Sequence, residues 1–243
     1  MPSLTNIGNE AFTSGTSLDV TVATLVSGIM LVPVISTIST QTITGVVWDP
    51  AGFNEPLTLL KRQRESVNTG FAVDWWVHLT PTPGSNKPVR ITADATVGMA
   101  ACAIEAQGVD TSSLAAVFRD ITLTGDTADS EAGASDPVTV TVANVQASDL
   151  LVDAIIAQVS STSDQPNVQL DSTASGGQFG VSYQAGSDGS TLSWTKDGGG
   201  TQHWVTAVIV LMEPADAGVT WLPSTTIVQG PRVSFEPAGT EPQ

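Results

Sequence analysis

Apolar and polar residues alternate along much of this chain with a period of two, the spacing of a half-buried β-strand. Leu18 to Thr24 reads Leu-Asp-Val-Thr-Val-Ala-Thr, and Pro88 to Ala93 alternates in the same way. Ile29 to Ser36 is a more continuous apolar run whose Pro33 predicts an edge or a bulge. Further strands are expected over Thr42 to Trp48, Leu57 to Arg62, Gly70 to Leu79 and Val97 to Gln107. A second series covers Pro137 to Ala143, Leu150 to Val159, Val168 to Asp171, Phe179 to Gln184, Thr191 to Lys196 and Trp204 to Met212. Turn chemistry separates them: Asp49-Pro50-Ala51-Gly52, Pro81-Thr82-Pro83-Gly84, Asp188-Gly189 and Asp197-Gly198-Gly199-Gly200. Only Ser112 to Arg119 has the makings of a short helix, with Ser112 or Ser113 as its cap. The expected fold is all-β: an antiparallel β-sandwich, jelly-roll-like, with an internal duplication of strand order.

The duplication is visible in the text itself. Val20-Thr21-Val22-Ala23 recurs as Val140-Thr141-Val142-Ala143, and Leu31-Val32 recurs as Leu151-Val152 at the same spacing. Phe71-Ala72-Val73 is echoed by Phe179-Gly180-Val181, Trp75 by Tyr183, and Val89-Arg90-Ile91-Thr92 by Leu192-Ser193-Trp194-Thr195. Two matching strand sets fit either one sandwich or two small ones side by side; one jelly-roll-like sandwich is preferred. The expected organisation is an N-terminal arm over 1–15, a sandwich over 16–213 with quasi-repeats 16–110 and 136–213, and a Pro-rich tail over 214–243. An acidic, small-residue connector over 120–136 separates the repeats.

Composition narrows the function. Of 243 residues, 41% are apolar and 13% charged, enough for a sizeable core. The formal net charge of −16 repels phosphate backbones and anionic lipid, which argues against nucleic-acid and membrane partners. One basic cluster stands out, Lys61, Arg62 and Arg64, either a solvated strand end or a dock for an acidic neighbour. The single cysteine, Cys102, forms no internal disulfide and sits in an apolar run as a small core hydrophobe. The start, Met1-Pro2-Ser3-Leu4, lacks a basic stretch followed by an apolar one, so synthesis in a cytoplasm is expected.

Candidate chemistry is sparse. His78 and His203 have no Cys or His at ligand spacing, so no metal or other cofactor is expected. Nucleophile, phosphate-loop and metalloprotease signatures are absent. A glycosidase would need two carboxylates across a cleft, and Glu55, Glu65, Glu105 and Glu213 are available without a spacing that pairs them. Glu105 and Glu213 close strands and read as solvent-side residues. Trp75 and Trp76 are adjacent and point to opposite faces of a strand, which predicts one in the core and the other towards solvent or a partner. The tail carries two apolar patches, Trp221-Leu222 and Ile227-Val228, between prolines that forbid a central strand.

The strand order resembles β-sandwich modules of tailed-phage virion proteins and bacterial surface proteins. It runs from Thr44-Gly45-Val46-Val47-Trp48 through Val73-Asp74-Trp75-Trp76-Val77-His78-Leu79-Thr80-Pro81, Val89-Arg90-Ile91-Thr92 and Ile104-Glu105-Ala106-Gln107-Gly108-Val109-Asp110. It ends with Val181-Ser182-Tyr183 and Leu192-Ser193-Trp194-Thr195. The resemblance covers about residues 16 to 213 and carries no catalytic motif. It implies a non-enzymatic structural module of a virion, a capsid decoration (cement) protein or a tail-associated component assembled in the host cytoplasm, and it brings no functional residues with it. The expected partners are a major capsid protein or another virion protein and further copies of the chain, a trimer being preferred. Trp221, Leu222, Ile227, Val228, Lys61, Arg62 and Arg64 are the candidate contacts. A glycan-binding module is the alternative, and a polysaccharide-active enzyme a third reading.

Overall fold

The computed structural model describes residues 2–37, 40–64, 70–119, 130–133, 138–157, 161–163, 168–171, 179–187, 189–196 and 202–214. The strands β1 (Ser3–Leu25), β2 (Ile29–Ser36), β3 (Ile43–Trp48), β4 (Glu55–Pro56), β5 (Thr58–Arg64), β6 (Ala72–His78) and β7 (Gly84–Gln107) come first. One helical turn, α1 (Leu114–Val117), follows, capped by the Ser113 hydroxyl, which accepts from the Ala116 N–H at 3.2 Å. The second half holds β8 (Ser130–Gly133), β9 (Val138–Val142), β10 (Leu150–Ala157), β11 (Ser161–Ser163), β12 (Val168–Asp171), β13 (Phe179–Ala185), β14 (Ser190–Lys196) and β15 (Gln202–Leu211). Every strand pairing is antiparallel. The expected all-β, antiparallel sandwich class holds.

The strands stack as four layers. β1 and β7 run side by side along their whole length and pass through two of them. Residues 89–93 of β7 pair with β3, whereas residues 99–106 pair with β2. The outer layer of the first half is therefore β4, β3, the early part of β7 and the late part of β1. Its inner layer is the rest of β1 and β7 with β2, β6 and β5. In the second half β12, β13, β10, β15 and β8 form the inner layer, and β11, β14 and β9 the outer one.

Three apolar interiors fill the spaces between layers. Val20, Val22, Ile91, Val46 and Trp48 meet Met30, Val32, Val34 and Trp76 inside the first half. Val138, Val140, Leu192 and Trp194 meet Leu151, Ile155, Trp204 and Val208 inside the second. The third interior is the seam between halves. Ile29, Leu31, Ile35, Val73, Trp75 and Ile104 pack there against Val152, Ile156, Phe179, Val205, Ala207 and Ile209. Trp75 ties the seam polarly as well, donating from Nε1 to the Ala207 carbonyl at 2.9 Å. β2 and β10 lie in inner layers and are buried at all eight positions, which explains their continuous apolar text.

The pairings repeat between the halves. β1–β7, β2–β6, β2–β7, β3–β7 and β5–β6 return as β9–β14, β10–β13, β10–β15, β11–β14 and β12–β13. Even a bulge returns. β5 shifts register between Leu59 and Lys61 against Trp76 and Trp75, and β12 shifts between Gln169 and Asp171 against Ser182 and Val181. The duplicated units are two sandwiches laid face to face, and the sequence preference for a single one is replaced by this arrangement.

Register corrects several sequence matches. Leu31 faces the seam but Leu151 faces its own sandwich, so the structural counterpart of Leu151 is Met30. A slip of one residue reverses every side chain, which a text match cannot see. The counterpart of Tyr183 is Val77 instead of Trp75, since Tyr183 pairs with Val152 as Val77 pairs with Leu31. The expected arm over 1–15 is no arm: residues 3–14 pair with 98–107 as the first part of β1. Nor does the second repeat begin at 136. Phe118 bridges to Leu211 and β8 pairs with β15, much as residues 4 and 13–15 of β1 pair with β7. Most of the 120–136 connector and the tail beyond 214 lie outside the described residues.

Two glycines test the packing. A Cβ on Gly8 would meet the Thr21 carbonyl oxygen at 2.3 Å, where the two parts of β1 approach each other. A Cβ on Gly45 would meet nothing within 4 Å. Gly8→Ala is expected to cost about 1–3 kcal/mol in urea unfolding. Gly45→Ala is expected to change stability by less than about 1 kcal/mol. Equal effects would show that the close approach at Gly8 is not tight.

Candidate functional site

The basic cluster on β5 lies where the two layers of the first sandwich meet at one end. Alternation along the strand sends Arg62 and Arg64 to one face and Lys61 to the other. Arg62 donates from Nε and from one terminal nitrogen to the two oxygens of Asp74 at 2.7 and 2.6 Å, and to the Ile43 carbonyl at 2.8 Å. Arg64 donates to the Thr42 hydroxyl at 3.1 Å and to the Gln41 carbonyl at 3.5 Å. Both arginines thus clasp β5, in the inner layer, to the chain entering β3, in the outer one. These donors of Arg62 and Arg64 are engaged within their own fold. Lys61 sits half-buried across from Trp75.

Asp74 is the reason the clasp is needed. Its side chain is only 3% exposed, and burial pushes the carboxyl above its usual range despite the hydrogen bonds from Arg62. A carboxylate in that position without its guanidinium would be a buried, unpaired charge. Three more ion pairs hold other parts of the fold. Arg119 binds Asp149 through two nitrogens, at 2.5 and 2.8 Å, and fixes the chain after α1 onto the start of β10. Arg90 joins Asp19 across β7 and β1, and Lys87 joins Asp49 at 3.1 Å.

A shallow depression of about 230 Å³ lies at the edge of the first sandwich, lined by Pro56, Thr58, Val77, His78, Leu79, Thr80 and Leu114. His78 is its most reactive side chain. The imidazole Nδ1 accepts from the Thr80 N–H at 3.2 Å, so the proton belongs on Nε2, which faces Glu55 Oε2 at 3.4 Å. Burial lowers the His78 pKa, against the opposing pull of Glu55. Glu55 accepts from the Thr82 N–H and hydroxyl, at 2.9 and 2.5 Å. Burial would raise its pKa, but those hydrogen bonds and His78 outweigh it, so the carboxyl stays below its usual value. The trio pins the 79–83 turn to β4. Both imidazole nitrogens are engaged, which leaves no lone pair for a substrate proton.

The described tryptophans are interior. Trp48, Trp75, Trp76, Trp194 and Trp204 are all buried. The expectation that Trp75 or Trp76 faces outward is corrected: β6 belongs to an inner layer, so the seam takes Trp75 and the first core takes Trp76. Glu105, expected at the solvent side, is only 4% exposed and accepts from the N–H groups of Val26 and Ser27, closing the turn between β1 and β2. Trp221, Leu222, Ile227 and Val228 lie outside the described residues. Among the described residues no three His, Cys, Asp or Glu side chains converge as a metal site, and no helix is long and apolar enough to cross a membrane.

What fold and site define is a class: an internally duplicated, all-β antiparallel sandwich whose described polar residues mainly fasten layers and turns. Neither a protein-family model, nor a curated protein, nor a solved structure matches the chain.

The clasp can be tested directly. Arg62→Met is expected to destabilise the protein by about 3–5 kcal/mol, because it strands a buried carboxylate. Arg62→Met with Asp74→Leu should recover much of that loss, read as the urea midpoint at neutral pH. A single substitution within ~0.5 kcal/mol of the parent would show the pair to be a surface ornament.

Proposed function

We propose that the protein is a non-enzymatic structural component of a virus particle, a capsid decoration protein that binds and stabilises the outer lattice. One observation carries this reading. The described side chains able to do acid–base or ionic chemistry are already engaged in holding the fold: Asp74 by Arg62, Asp149 by Arg119, Glu55 by Thr82 and His78, Glu105 by a turn. Such a protein works through its surface and its terminal segments. Its partners are a major capsid protein or another virion protein and further copies of itself, a trimer being the preferred state. A net charge of −16 directs it to neutral or basic protein surfaces and away from nucleic acid and anionic lipid.

The 214–243 tail is the proposed reach to a neighbour, with Trp221, Leu222, Ile227 and Val228 as anchors and Lys61 as a contact on the sandwich itself. Aromatic and aliphatic anchors in a partner's pockets are the residues that dominate binding energy at such interfaces. The glycan-binding alternative needs an exposed aromatic platform. The five described tryptophans are buried, so that alternative falls to Trp221.

The test is cosedimentation with particles purified from the source culture, comparing the full chain with one ending at Glu213. Full-length protein should band with particles, and loss of the tail should weaken binding by at least about tenfold, a 1.4 kcal/mol change. Peptides of the chain found only in the soluble fraction, and no cosedimentation by either form, would overturn the virion reading.

A further inference from the structure

The second sandwich contains a buried carboxyl that the first does not have. Asp153 lies in β10 between Val152 and Ala154, and its register makes it the counterpart of Val32. Its residue is 0% exposed. Oδ1 accepts from the Ser182 N–H at 3.2 Å and meets the Ser182 hydroxyl at 2.5 Å; Oδ2 accepts from Trp194 Nε1 at 2.6 Å. In the first sandwich, the buried Asp74 has a guanidinium. Asp153 has none.

Among the described residues, the neighbours of Asp153 are uncharged on every side. From β10 the neighbours on its face are Leu151 and Ile155, from β13 Ser182 and Gln184, and from β15 Thr206 and Val208. The outer layer contributes Val138 and Val140 from β9 and Leu192 and Trp194 from β14. None of these titrates. The nearest ion pair on the same strand, Arg119–Asp149, is four residues away, about 13 Å at the rise of a strand. Two polar atoms in this interior, Thr206 Oγ1 and Trp204 Nε1, have no hydrogen-bond partner. Nothing there compensates a full negative charge.

The geometry accommodates a proton without moving a heavy atom. With Asp153 ionised, the Ser182 hydroxyl donates to Oδ1. With Asp153 protonated, the same 2.5 Å contact reverses and Oδ1 donates to the hydroxyl oxygen. The Trp194 bond to Oδ2 stays in both states. Trp194 belongs to the outer layer, so this carboxyl joins the two layers of the second sandwich.

We infer that the outer layer of the second sandwich, β9, β11 and β14, is proton-gated: it closes fully when Asp153 is protonated and loosens when Asp153 is ionised. Burial, opposed by the bonds from Ser182 and Trp194, pushes the carboxyl up to about 6. An exposed aspartate titrates near 3.9, so opening the layer favours the ionised form. The closed state therefore has its full advantage below about pH 4 and loses it as the pH rises through about 6. In the first sandwich burial also raises the Asp74 carboxyl, but there the Arg62 guanidinium opposes the rise. The device is independent of which surface the protein binds.

Hydrogen exchange on the full chain decides it. Between about pH 5 and about pH 7.5, protection of residues 138–142 and 190–196, corrected for intrinsic exchange, should fall about tenfold. The corresponding segments of the first sandwich, 18–22 and 88–92, should fall by less, because Arg62 opposes the rise at Asp74. Asp153→Asn should abolish the difference. Should Asp153→Asn fail to fold, Ser182→Ala removes a donor to the ionised form and should move the transition to higher pH. A parent protein whose two sandwiches respond alike would overturn the inference, as would an Asn variant that keeps the pH response or a Ser182→Ala transition that stays in place.

Discussion

The seam between the two sandwiches is the constraint from which the rest follows. Once the inner layers lie face to face, their strands have no solvent side. β2 and β10 must then be apolar at every position, and β6 must find room for tryptophan on both faces. Each fully buried large side chain contributes about 1.5–3 kcal/mol relative to exposure. The seam also sets where polarity is allowed. Trp75 brings its N–H into the seam because the Ala207 carbonyl can take it. The ionic pairs stand at sheet ends and edges, where one partner keeps some access to water.

Much of the architecture was legible in the text, and the reasons for the remainder are physical. Alternation located the strands because outer layers have one wet face, as in Val138 to Val142, buried and exposed in turn. Duplication was legible from repeated words. Register was not, because a match such as Leu31-Val32 with Leu151-Val152 is silent about which face each residue takes. Trp75 and Trp76 misled for a related reason: opposite faces need not mean one inside and one outside when the sheet has a neighbour on each side. Residues 3–15 read as an arm because Thr, Asn, Gly and Ser dominate them, yet they pair with the most buried part of β7, and the bulges along β1 absorb the irregularity.

The candidate site was less legible than the fold. Arg62 was visible as part of a basic cluster, but its partner Asp74 is twelve residues away and reaches it only through the β5–β6 pairing. A cluster of like charges on one strand says nothing about the acid on the next. Glu105 looked like a strand-end residue, and only the fold shows that the β1–β2 turn closes over it. Asp153 did leave a signal. A lone acid inside Leu-Leu-Val-Asp-Ala-Ile-Ile-Ala is anomalous on any reading of that segment as a buried strand, because a carboxyl does not enter such a run without hydrogen bonds to receive it.

Comparison of Asp74 with Asp153 shows how a duplicated fold can receive a buried acid in two ways. Asp74 is paired with a guanidinium that also bonds a backbone carbonyl, and this cation opposes the rise that burial imposes on the carboxyl. Asp153 occupies a position where the first sandwich carries valine and is received only by neutral donors. Neutral donors stabilise a carboxylate less than a cation does, and three of them do not offset complete burial. The pairings, the bulge and the layer order of the two sandwiches can therefore coincide while the partners of their buried acids differ. The backbone sets where a buried acid can stand; what opposes the rise that burial imposes is a guanidinium at Asp74 and neutral donors at Asp153.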